Sequence, residues 1–359
     1  MSDFIPRNAG DITIDWLQEI VFQNVKMPTI LDIKLSDVGE GRGTLSETVK
    51  VEFVFEEAVQ DDILKSVIVK LQPSTTAFKR RDRKIHAFER EVSFYRDIAP
   101  NVPVRLPRIY YTEKSTEAGA IVMEDLENLE GGDQVIGLTH EQTLMAAREI
   151  AKLHAAYWNN PALETLDWAP WHDHFNADDF AEHWPDFSNT EGEKIGAEAL
   201  ALGHRISENF DWLEAKIASR PMTILHGDLR ADNLMFNQDR SKQEVAIVDW
   251  QLVSKNLATI DIARMLGGSE SIEERQGHQM EIVHAWHAEL LKSGVNDYSL
   301  TEAEYDFRLA ALHCVTIPVH LHLAFGQEVT GRIKELFNIR CARFFSSALE
   351  LDAEKLLPK

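Results

Sequence analysis

The chain has 359 residues, of which 44% are hydrophobic and 27% charged, so it can bury two domain cores and is not wholly disordered. Its 37 basic and 59 acidic residues give a formal net charge of −22, which disfavours nucleic acid and anionic membranes as partners. The two cysteines exclude a disulfide framework, and the sequence shows neither a secretory signal nor an apolar stretch that could span a membrane. We therefore expect a cytoplasmic, two-domain protein whose oligomeric state the composition leaves open.

The hydrophobic pattern changes along the chain from strand-like to mainly helical spacing. In chain order it predicts a helix over 11–24, strands within 30–71 and at 120–123, a helix over 82–98, helices beyond 128, and a β segment at 234–250. The glycine pair Gly131-Gly132 and its polar neighbours suit a hinge. The sequence therefore predicts an α+β protein with domains at 1–125 and 126–359, joined by a hinge at about 123–132.

A glycine-rich turn precedes the alternating strand near residue 50. Gly39, Gly41 and Gly43 lie between two predicted strands, where their backbone N–H groups could bind phosphates. Glycine-rich hairpins are also common without any ligand, and Arg42 interrupts this turn. The turn alone leaves both interpretations open.

The following strand contains a lysine within an apolar run. Lys70 would be costly to bury unless a partner receives its charge. On the predicted helix, Glu91 shares a face with Phe88 and Tyr95, which pack inward. We therefore predict that Lys70 pairs with Glu91, with Glu89 as the competing partner.

The strongest pattern is the segment His226-Gly227-Asp228-Leu229-Arg230-Ala231-Asp232-Asn233. An aspartate followed five residues later by an asparagine has the spacing of a kinase catalytic loop. A hairpin folded symmetrically about Ser241 would place Asn233 opposite Asp249, so that their oxygens could share one cation such as Mg²⁺. Asp228 would then be available to accept a proton from an attacking hydroxyl.

In this order, the features resemble the protein-kinase-like superfamily, and specifically its small-molecule branch of aminoglycoside phosphotransferases, choline kinases and ecdysteroid-kinase-like proteins. Three further motifs are most similar to the ecdysteroid-kinase-like group: Phe88-x-x-Glu91-x-x-Phe94-Tyr95, Leu153-His154-Ala155-Ala156-Tyr157-Trp158 and Asp261-Ile262-Ala263. The resemblance implies a bilobal protein-kinase-like fold, with an antiparallel sheet and one helix in a small N-terminal lobe. The larger, mainly helical C-terminal lobe would carry the catalytic hairpin.

The resemblance also implies a role for each matching residue, with ATP and Mg²⁺ as cofactors. Asp228 would be the catalytic base, Asn233 and Asp249 the Mg²⁺ ligands, and Lys70, oriented by Glu91, the contact to the ATP phosphates. The hinge would hold adenine through the backbone at Glu124 and Leu126, while His226 and Asp261 would brace the catalytic loop.

Two departures from protein kinases favour a small hydroxylated substrate. The loop has His-Gly-Asp in place of His-Arg-Asp, and Asp249 is followed by Trp250-Gln251. Only eleven residues separate Asp249 from Asp261, too few for an activation segment. We therefore predict a Mg²⁺-dependent small-molecule O-phosphotransferase; the alternatives are a catalytically silent nucleotide-binding scaffold and, third, a protein kinase.

The acceptor is predicted to bind in the helical domain. Residues 157–186 combine four tryptophans with several carboxylates, which could form a pocket wall or only a core and a solvated loop. The net charge of −22 ranks a neutral alcohol or an amino-alcohol above a hydroxy acid. The basic run at 79–84 points the other way, towards an anionic tail on the substrate.

Overall fold

The computed structural model describes residues 4–22, 28–38, 46–57, 63–72, 85–171, 177–239, 241–325 and 330–359. The chain divides into two compact units. The first unit comprises Met1–Asn101, Leu106–Asn128 and Ile247–Leu252, and the second comprises Val102–Arg105, Leu129–Ala246 and Val253–Lys359. In the part of the chain that is described, no helix has the length and apolar character needed to cross a membrane.

The first unit is built on a five-stranded antiparallel sheet. Its strands are β1 (Ile30–Asp37), β2 (Glu47–Phe55), β3 (Ser66–Leu71), β4 (Ile109–Lys114) and β5 (Gly119–Glu124). Their order across the sheet is β1-β2-β3-β5-β4. Alternate residues of β2 are buried, which explains why a period of two predicted this strand. Strand β4 lies at the sheet edge and is mostly half-buried, so its sequence carries no comparable pattern.

Two helices belong to this sheet unit. Helix α1 (Ile14–Val21) begins after Thr13, whose hydroxyl accepts a hydrogen bond from the backbone of Trp16, and it buries Trp16 in the core. Helix α2 (Ala87–Ser93) continues directly into a π-helical turn at Phe94–Ile98. The predicted helix over 82–98 therefore changes its hydrogen-bonding pattern halfway, and its first three residues lie outside the described part of the chain.

The second unit is mainly helical, as its spacing predicts. Its helices are α3 (His140–Ala156), α4 (Ala177–Ile195), α5 (Ala197–Glu208), α6 (Phe210–Ala218), α7 (Thr259–Ser269), α8 (Ile272–Arg275), α9 (Gln279–Lys292), α10 (Leu300–Cys314), α11 (Thr316–Phe325) and α12 (Gly331–Glu350). Helices α3 and α10 begin with capping boxes at Thr139 and Ser299, which define their first turns.

Five short strands complete the fold: β6 (Leu129–Gly131), β7 (Met222–Leu225), β8 (Leu234–Asn237), β9 (Val245–Ile247) and β10 (Ser254–Leu257). Strand β7 pairs with β10, and β6, β8 and β9 form a separate sheet. The sequence of β10 gives no strand signal, because three of its four buried residues are polar.

The catalytic-loop segment lies between β7 and β8. It ends in a 3₁₀ turn at Ala231–Asn233 that leads directly into β8. The N–H of Asn237 donates to the carbonyl of Glu244 at 3.1 Å, so the predicted polar turn joins β8 and β9. The predicted facing of Asn233 and Asp249 stays a prediction, since these residues belong to different units.

Candidate active site

Lys70 is the centre of a buried ionic group in the first unit. Its Nζ lies 2.7 and 2.8 Å from the two carboxylate oxygens of Glu91 and 2.7 Å from Oδ1 of Asp249. Glu89 instead binds Lys114, at 3.2 Å. Burial would lower the pKa of Lys70, but the two carboxylates outweigh it and hold this pKa above its ordinary value. Lys70 is therefore a fixed cation, in the predicted pair with Glu91.

The backbone at Asp249 adopts an unusual conformation. Its φ of 69° lies in the left-handed region, which costs a non-glycine residue about 1–3 kcal/mol unless its surroundings hold it there. The next residue, Trp250, stacks on Phe94 with ring centroids 3.9 Å apart and donates to the carbonyl of Ile247. Gln251 donates to Oδ2 of Asp249 at 2.9 Å. These contacts fix the direction of the Asp249 carboxylate.

In the second unit, Asp261 braces the loop that carries Asp228. Its carboxylate accepts the N–H of His226 at 2.7 Å and the N–H of Gly227 at 3.0 Å. Gly227 has a φ of 77°, a conformation that glycine adopts without strain. The N–H of Asp228 donates to Nδ1 of His226 at 3.1 Å, so the turn is also closed from within. The bracing contacts that the family resemblance implied for His226 and Asp261 are therefore present.

A buried histidine supports Asp261 from behind. The indole N–H of Trp286 donates to Nδ1 of His154 at 3.0 Å, and an indole can only donate. The Nδ1 atom must therefore be the acceptor, so the neutral ring carries its hydrogen on Nε2 and donates it to Asp261 at 3.2 Å. His154 and Asp261 are both fully buried. The sequence identifies His154 only as part of a motif of the ecdysteroid-kinase-like group, and it does not predict this supporting role.

Asn233 is locked onto Asp228. Its Nδ2 donates to the carbonyl of Asp228 at 2.8 Å and approaches Oδ2 of the same residue at 3.3 Å. The amide nitrogen is thereby committed, and the amide oxygen is the atom that remains to act as a ligand. The five-residue spacing thus joins the two residues in one buried unit.

Two arginines bind the carboxylate of Asp228. Nε of Arg230 lies 3.0 Å from Oδ2, and Nη2 of Arg264, on α7, lies 2.7 Å from Oδ1. Burial would raise the pKa of Asp228, but the guanidinium groups of Arg230 and Arg264 outweigh it and hold this pKa well below its usual range. Asp228 is therefore ionised at neutral pH, and it is a weak base before substrate arrives.

Sequence reasoning missed these two cations. Arg230 lies two residues after Asp228 within the strongest motif, and Arg264 lies three residues after Asp261, which is about one helical turn. Both arginines can be read directly from the sequence, but the catalytic motif is defined by its carboxylate and amide residues and assigns no role to an arginine. The helical spacing from Asp261, a residue already predicted to brace the loop, could have found Arg264, and the position two residues after Asp228 could have found Arg230.

The predicted nucleotide-binding backbone is described only in part. Glu124 ends β5, and its N–H donates to the carbonyl of Arg108 at 2.8 Å. Leu126 follows as a buried residue. Gly39, Gly41 and Gly43 lie outside the described residues. Adenine binding at Glu124 and Leu126 and phosphate binding at the glycine turn stay predictions.

The tryptophan-rich segment at 157–186 divides into core and surface. Trp184 is buried, stacks on Phe187 with ring centroids 5.6 Å apart, and therefore belongs to the core. Trp171 is 39% exposed and lies under the Nζ of Lys255, 4.5 Å from the ring centroid. The exposed part of this segment thus contains an aromatic ring that already contacts a cation.

The side chains of both units fit the chemistry of Mg²⁺ and a polyphosphate. Asp249 offers a carboxylate and Asn233 an amide oxygen, and Mg²⁺ prefers such hard oxygen ligands when it also binds substrate phosphates. Lys70 offers a permanent cation that is already oriented by Glu91. Each unit, taken by itself, thus offers groups of the kind that bind a metal ion or a phosphate.

Comparison with known proteins places the chain in a family. The ecdysteroid kinase-like family matches residues 40–295, more than half of the chain. An uncharacterized kinase-like protein of Caenorhabditis elegans is 24% identical over 299 residues, which cover 75% of this chain and 77% of that protein.

Two solved structures show the fold. The microcompartment-associated aminopropanol kinase gives a TM-score of 0.56 at 16% identity, over 96% of this chain and 99% of that chain. An ADP-bound aminoglycoside phosphotransferase gives a TM-score of 0.50 at 15% identity, over 93% of this chain and 99% of that chain. The α+β fold predicted from the sequence is confirmed as that of kinase-like small-molecule phosphotransferases, and the chain belongs to the ecdysteroid kinase-like family.

Proposed function

We propose that this protein is an ATP- and Mg²⁺-dependent phosphotransferase that moves the γ-phosphoryl group of ATP to a hydroxyl of a small molecule. The observation that carries the proposal is the catalytic loop, where Asp228 is buried, ionised and locked to Asn233. Asp261 holds two consecutive N–H groups of this loop, so the base is positioned before substrate binds. Such positioning is the main contribution of a protein to phosphoryl transfer.

In the proposed reaction, the acceptor oxygen forms a bond to the γ-phosphorus while the bond from that phosphorus to the β–γ bridging oxygen breaks. ADP leaves with the bridging oxygen, and the hydroxyl proton passes to the carboxylate of Asp228. Because the low pKa of Asp228 makes it a weak base, it orients the hydroxyl first and receives the proton late, as the new bond forms.

In the proposed reaction Lys70 binds the ATP phosphates, and Glu91 orients the Lys70 ammonium group. Glu91 binds Nζ through both of its oxygens, which leaves the third ammonium hydrogen, now directed at Asp249, to bind a phosphate oxygen. Asn233 and Asp249 would hold Mg²⁺, which neutralises charge on the phosphates when bound.

The remaining nucleotide contacts follow the family resemblance. Adenine would be held by the backbone at Glu124 and Leu126, and the phosphates by Gly39, Gly41 and Gly43. In this scheme residues 1–125 bind the nucleotide and residues 126–359 bind the acceptor. The two cysteines are buried and form no disulfide, which fits a reducing, cytoplasmic compartment.

The test is ATP turnover against a panel of alcohols, amino-alcohols, aminoglycosides, sterols and hydroxy acids, with the phosphate ester identified by mass spectrometry. The Asp228→Asn variant should lose ester formation, because an amide cannot accept the proton. Asp239→Asn is the matched control, since Asp239 lies on the exposed β8–β9 turn, where its carboxylate accepts a hydrogen bond from the hydroxyl of Ser241. Ester formation by Asp228→Asn at the wild-type rate would contradict the assignment.

The same assay separates the alternatives. A silent nucleotide-binding scaffold would bind Mg·ATP in calorimetry and release neither an ester nor ADP with any acceptor. A protein kinase would transfer phosphate from ATP to proteins and leave the small molecules unmodified.

A further inference from the structure

Two histidines and a glutamate meet where helices α3 and α9 begin. His140 is the first residue of α3, His278 directly precedes α9, and Glu281 lies in the first turn of α9. Nε2 of His140 lies 3.2 Å from Oε2 of Glu281, and Nδ1 of His278 lies 3.3 Å from Oε1 of the same carboxylate. The two imidazole rings have centroids 5.2 Å apart. We call these three residues the histidine site.

The distances within the histidine site suit a small divalent transition-metal ion. Zn²⁺ is bound tetrahedrally, by histidine nitrogen at about 2.0–2.1 Å and by carboxylate oxygen at about 2.0–2.2 Å. Two ligand atoms of such a tetrahedron are about 3.4 Å apart, close to the 3.2 and 3.3 Å between the imidazole nitrogens and the carboxylate oxygens. The two histidines have ligand nitrogens within 4.8 Å of each other, a gap that a small rotation of one ring closes.

A buried carboxylate lies behind His140. Glu270 follows the end of α7 and is fully buried. Its backbone forms a β-bridge with Leu138, two residues before α3, and its carboxylate is close enough to His140 for their charges to interact. Among the described residues, no hydrogen-bond partner meets either carboxylate oxygen of Glu270 or the buried Nδ1 of His140. A buried ring nitrogen and a buried carboxylate are thus left unsatisfied near each other.

Two polar neighbours of Glu270 bind other groups. Thr143 lies one turn along α3, and its hydroxyl donates to the carbonyl of Thr139 at 3.2 Å. Arg275 donates through Nη2 to Glu350 at 3.0 Å. A buried carboxylate without a hydrogen bond is costly, so the position of Glu270 requires a physical reason.

We propose that the histidine site binds Zn²⁺ or a similar divalent transition-metal ion through Nε2 of His140, Nδ1 of His278 and the carboxylate of Glu281. A metal ion on Nε2 keeps the ring hydrogen of His140 on Nδ1, and Glu270 accepts it. Histidines that bind a metal commonly donate their other ring N–H to a carboxylate in this way. Three protein ligands leave the fourth tetrahedral position to water or to a small ligand.

The donor set separates this site from the proposed Mg²⁺ site. Imidazole nitrogens suit Zn²⁺ and neighbouring transition metals, whereas Mg²⁺ prefers oxygen ligands. The histidine site and Glu270 lie within the second unit, and neither Asp228 nor Asn233 takes part. The inference therefore goes beyond the proposed function and stands without it.

The ion has a direct path from solvent, and two carboxylates attract it. The side chains of His278 and Glu281 are 51% and 60% exposed. Both helices begin at the site, and the positive end of a helix dipole favours an anion over a cation. This effect alone accounts for Glu281 in the first turn of α9, but it does not account for a second, buried carboxylate. A divalent ion here depends on the combined negative charge of Glu281 and Glu270.

The first experiment measures binding of the metal ion alone. The full chain, without an affinity tag and stripped of metal by a chelator, is titrated with Zn²⁺ by calorimetry in excess Mg²⁺. A second titration uses Co²⁺ and visible absorption. We expect a single saturable site for each ion, with the intense absorption of tetrahedral Co²⁺. No saturable binding, or loss of Zn²⁺ binding as Mg²⁺ is added, would overturn the inference.

Variants assign the bound ion to the histidine site. His278→Ala and Glu281→Gln change exposed side chains, so the variants should fold, and each should weaken Zn²⁺ binding by about tenfold or more. His284→Ala is the matched control, because His284 lies on the same helix and its Nε2 is 2.7 Å from Oε1 of Glu304. Unchanged affinity in both ligand variants, or an equal loss in His284→Ala, would refute the assignment.

A last variant tests the buried carboxylate. Glu270→Gln keeps the shape of the side chain and removes its charge, and it should weaken Zn²⁺ binding by about 10–100-fold without removing a ligand. Zn²⁺ should also raise the thermal midpoint of the wild type, because it binds the folded chain, and should raise it less in His278→Ala. Wild-type affinity in a folded Glu270→Gln variant would refute the role of Glu270, and an equal rise in His278→Ala would refute the site.

Discussion

Two buried ionic groups of the molecule use the same chemistry in reverse: one holds a cation between carboxylates, and the other holds a carboxylate between cations. In the first unit, one cation, Lys70, lies between the carboxylates of Glu91 and Asp249, so the group has one negative charge in excess. In the second unit, one carboxylate, that of Asp228, lies between the guanidinium groups of Arg230 and Arg264.

The difference predicts the charge that each group presents to a ligand. The carboxylate in excess beside Lys70 is suited to a divalent cation, and the two arginines keep Asp228 ionised before substrate arrives. The net charge of the whole chain cannot make this distinction, because it averages over both groups.

The largest effect is expected from Asp228→Ala, which changes the balance of the second unit alone. Turnover should fall by about 10²–10⁴-fold, because the base is lost. Mg·ATP affinity should stay nearly unchanged, because the base meets the acceptor and not the nucleotide. Steady-state kinetics and calorimetry with Mg·ATP on the same preparation would check both expectations. A parallel loss of turnover and of Mg·ATP affinity would break the comparison.

The next effect concerns the surplus carboxylate of the first unit. Asp249→Asn should weaken Mg·ATP binding at least about tenfold, because substitutions around a metal site typically lower metal affinity by about 10–100-fold. Asparagine tolerates the positive φ at this position, so this variant tests charge with the backbone retained. Asp249→Ala removes both the charge and that tolerance, and it should also lower the thermal midpoint. Calorimetry showing normal Mg·ATP affinity in Asp249→Asn would exclude the metal role.

A smaller kinetic effect is expected within the Lys70 pair. Lys70→Ala should raise the KM for ATP and lower kcat, and Glu91→Ala should do the same more mildly, because Glu91 only orients the lysine. Lys70→Ala should also destabilise the fold by up to about 3–5 kcal/mol, since Glu91 becomes a buried, unpaired carboxylate. Glu89→Ala is the matched control, because Glu89 pairs with Lys114 and His86 instead of Lys70. A larger kinetic defect in Glu89→Ala than in Glu91→Ala would refute the assigned helix face.

Much of this arrangement could be predicted because it depends on local spacing. The helical period places Glu91 on one face with Phe88 and Tyr95, and that face packs against the strand of Lys70. The five-residue interval from Asp228 to Asn233 closes within one loop and one 3₁₀ turn. Such contacts need no knowledge of how distant elements pack.

The remaining contacts depend on tertiary packing. Arg340 lies 206 positions after Gln134 in the chain, and no sequence pattern near either residue predicts their hydrogen bond. The polar strand at Ser254–Leu257 is buried because β7 supplies its pairing, and its own sequence resembles a surface loop. The positive φ of Asp249 is likewise set by its neighbours Trp250 and Gln251.

The smallest expected effect, and the most direct test of the charge balance at Asp228, is on stability. A carboxyl whose pKa is lower in the folded than in the unfolded chain stabilises the fold above its unfolded pKa of about 3.9, and loses this contribution as the pH falls through the folded value. The difference in unfolding free energy between wild type and Asp228→Asn should therefore be constant from about pH 5 to pH 8 and move against wild type below about pH 5. Urea unfolding measures this difference. Subtracting the value for Asp228→Asn removes the contribution of the other titrating groups, because both proteins contain them.

Arg264→Gln then sharpens the result. With one guanidinium removed, the pKa of Asp228 rises toward its ordinary value, so the acid-induced change in that difference should be smaller when both proteins carry Arg264→Gln. Arg332→Gln, which removes a guanidinium bound to Asp133 instead, should leave the change as it is in wild type. If the difference moved in favour of wild type as the pH falls, the pKa of Asp228 would be raised in the fold. Arg230 and Arg264 would then not govern the base, and the comparison between the two ionic groups would fail.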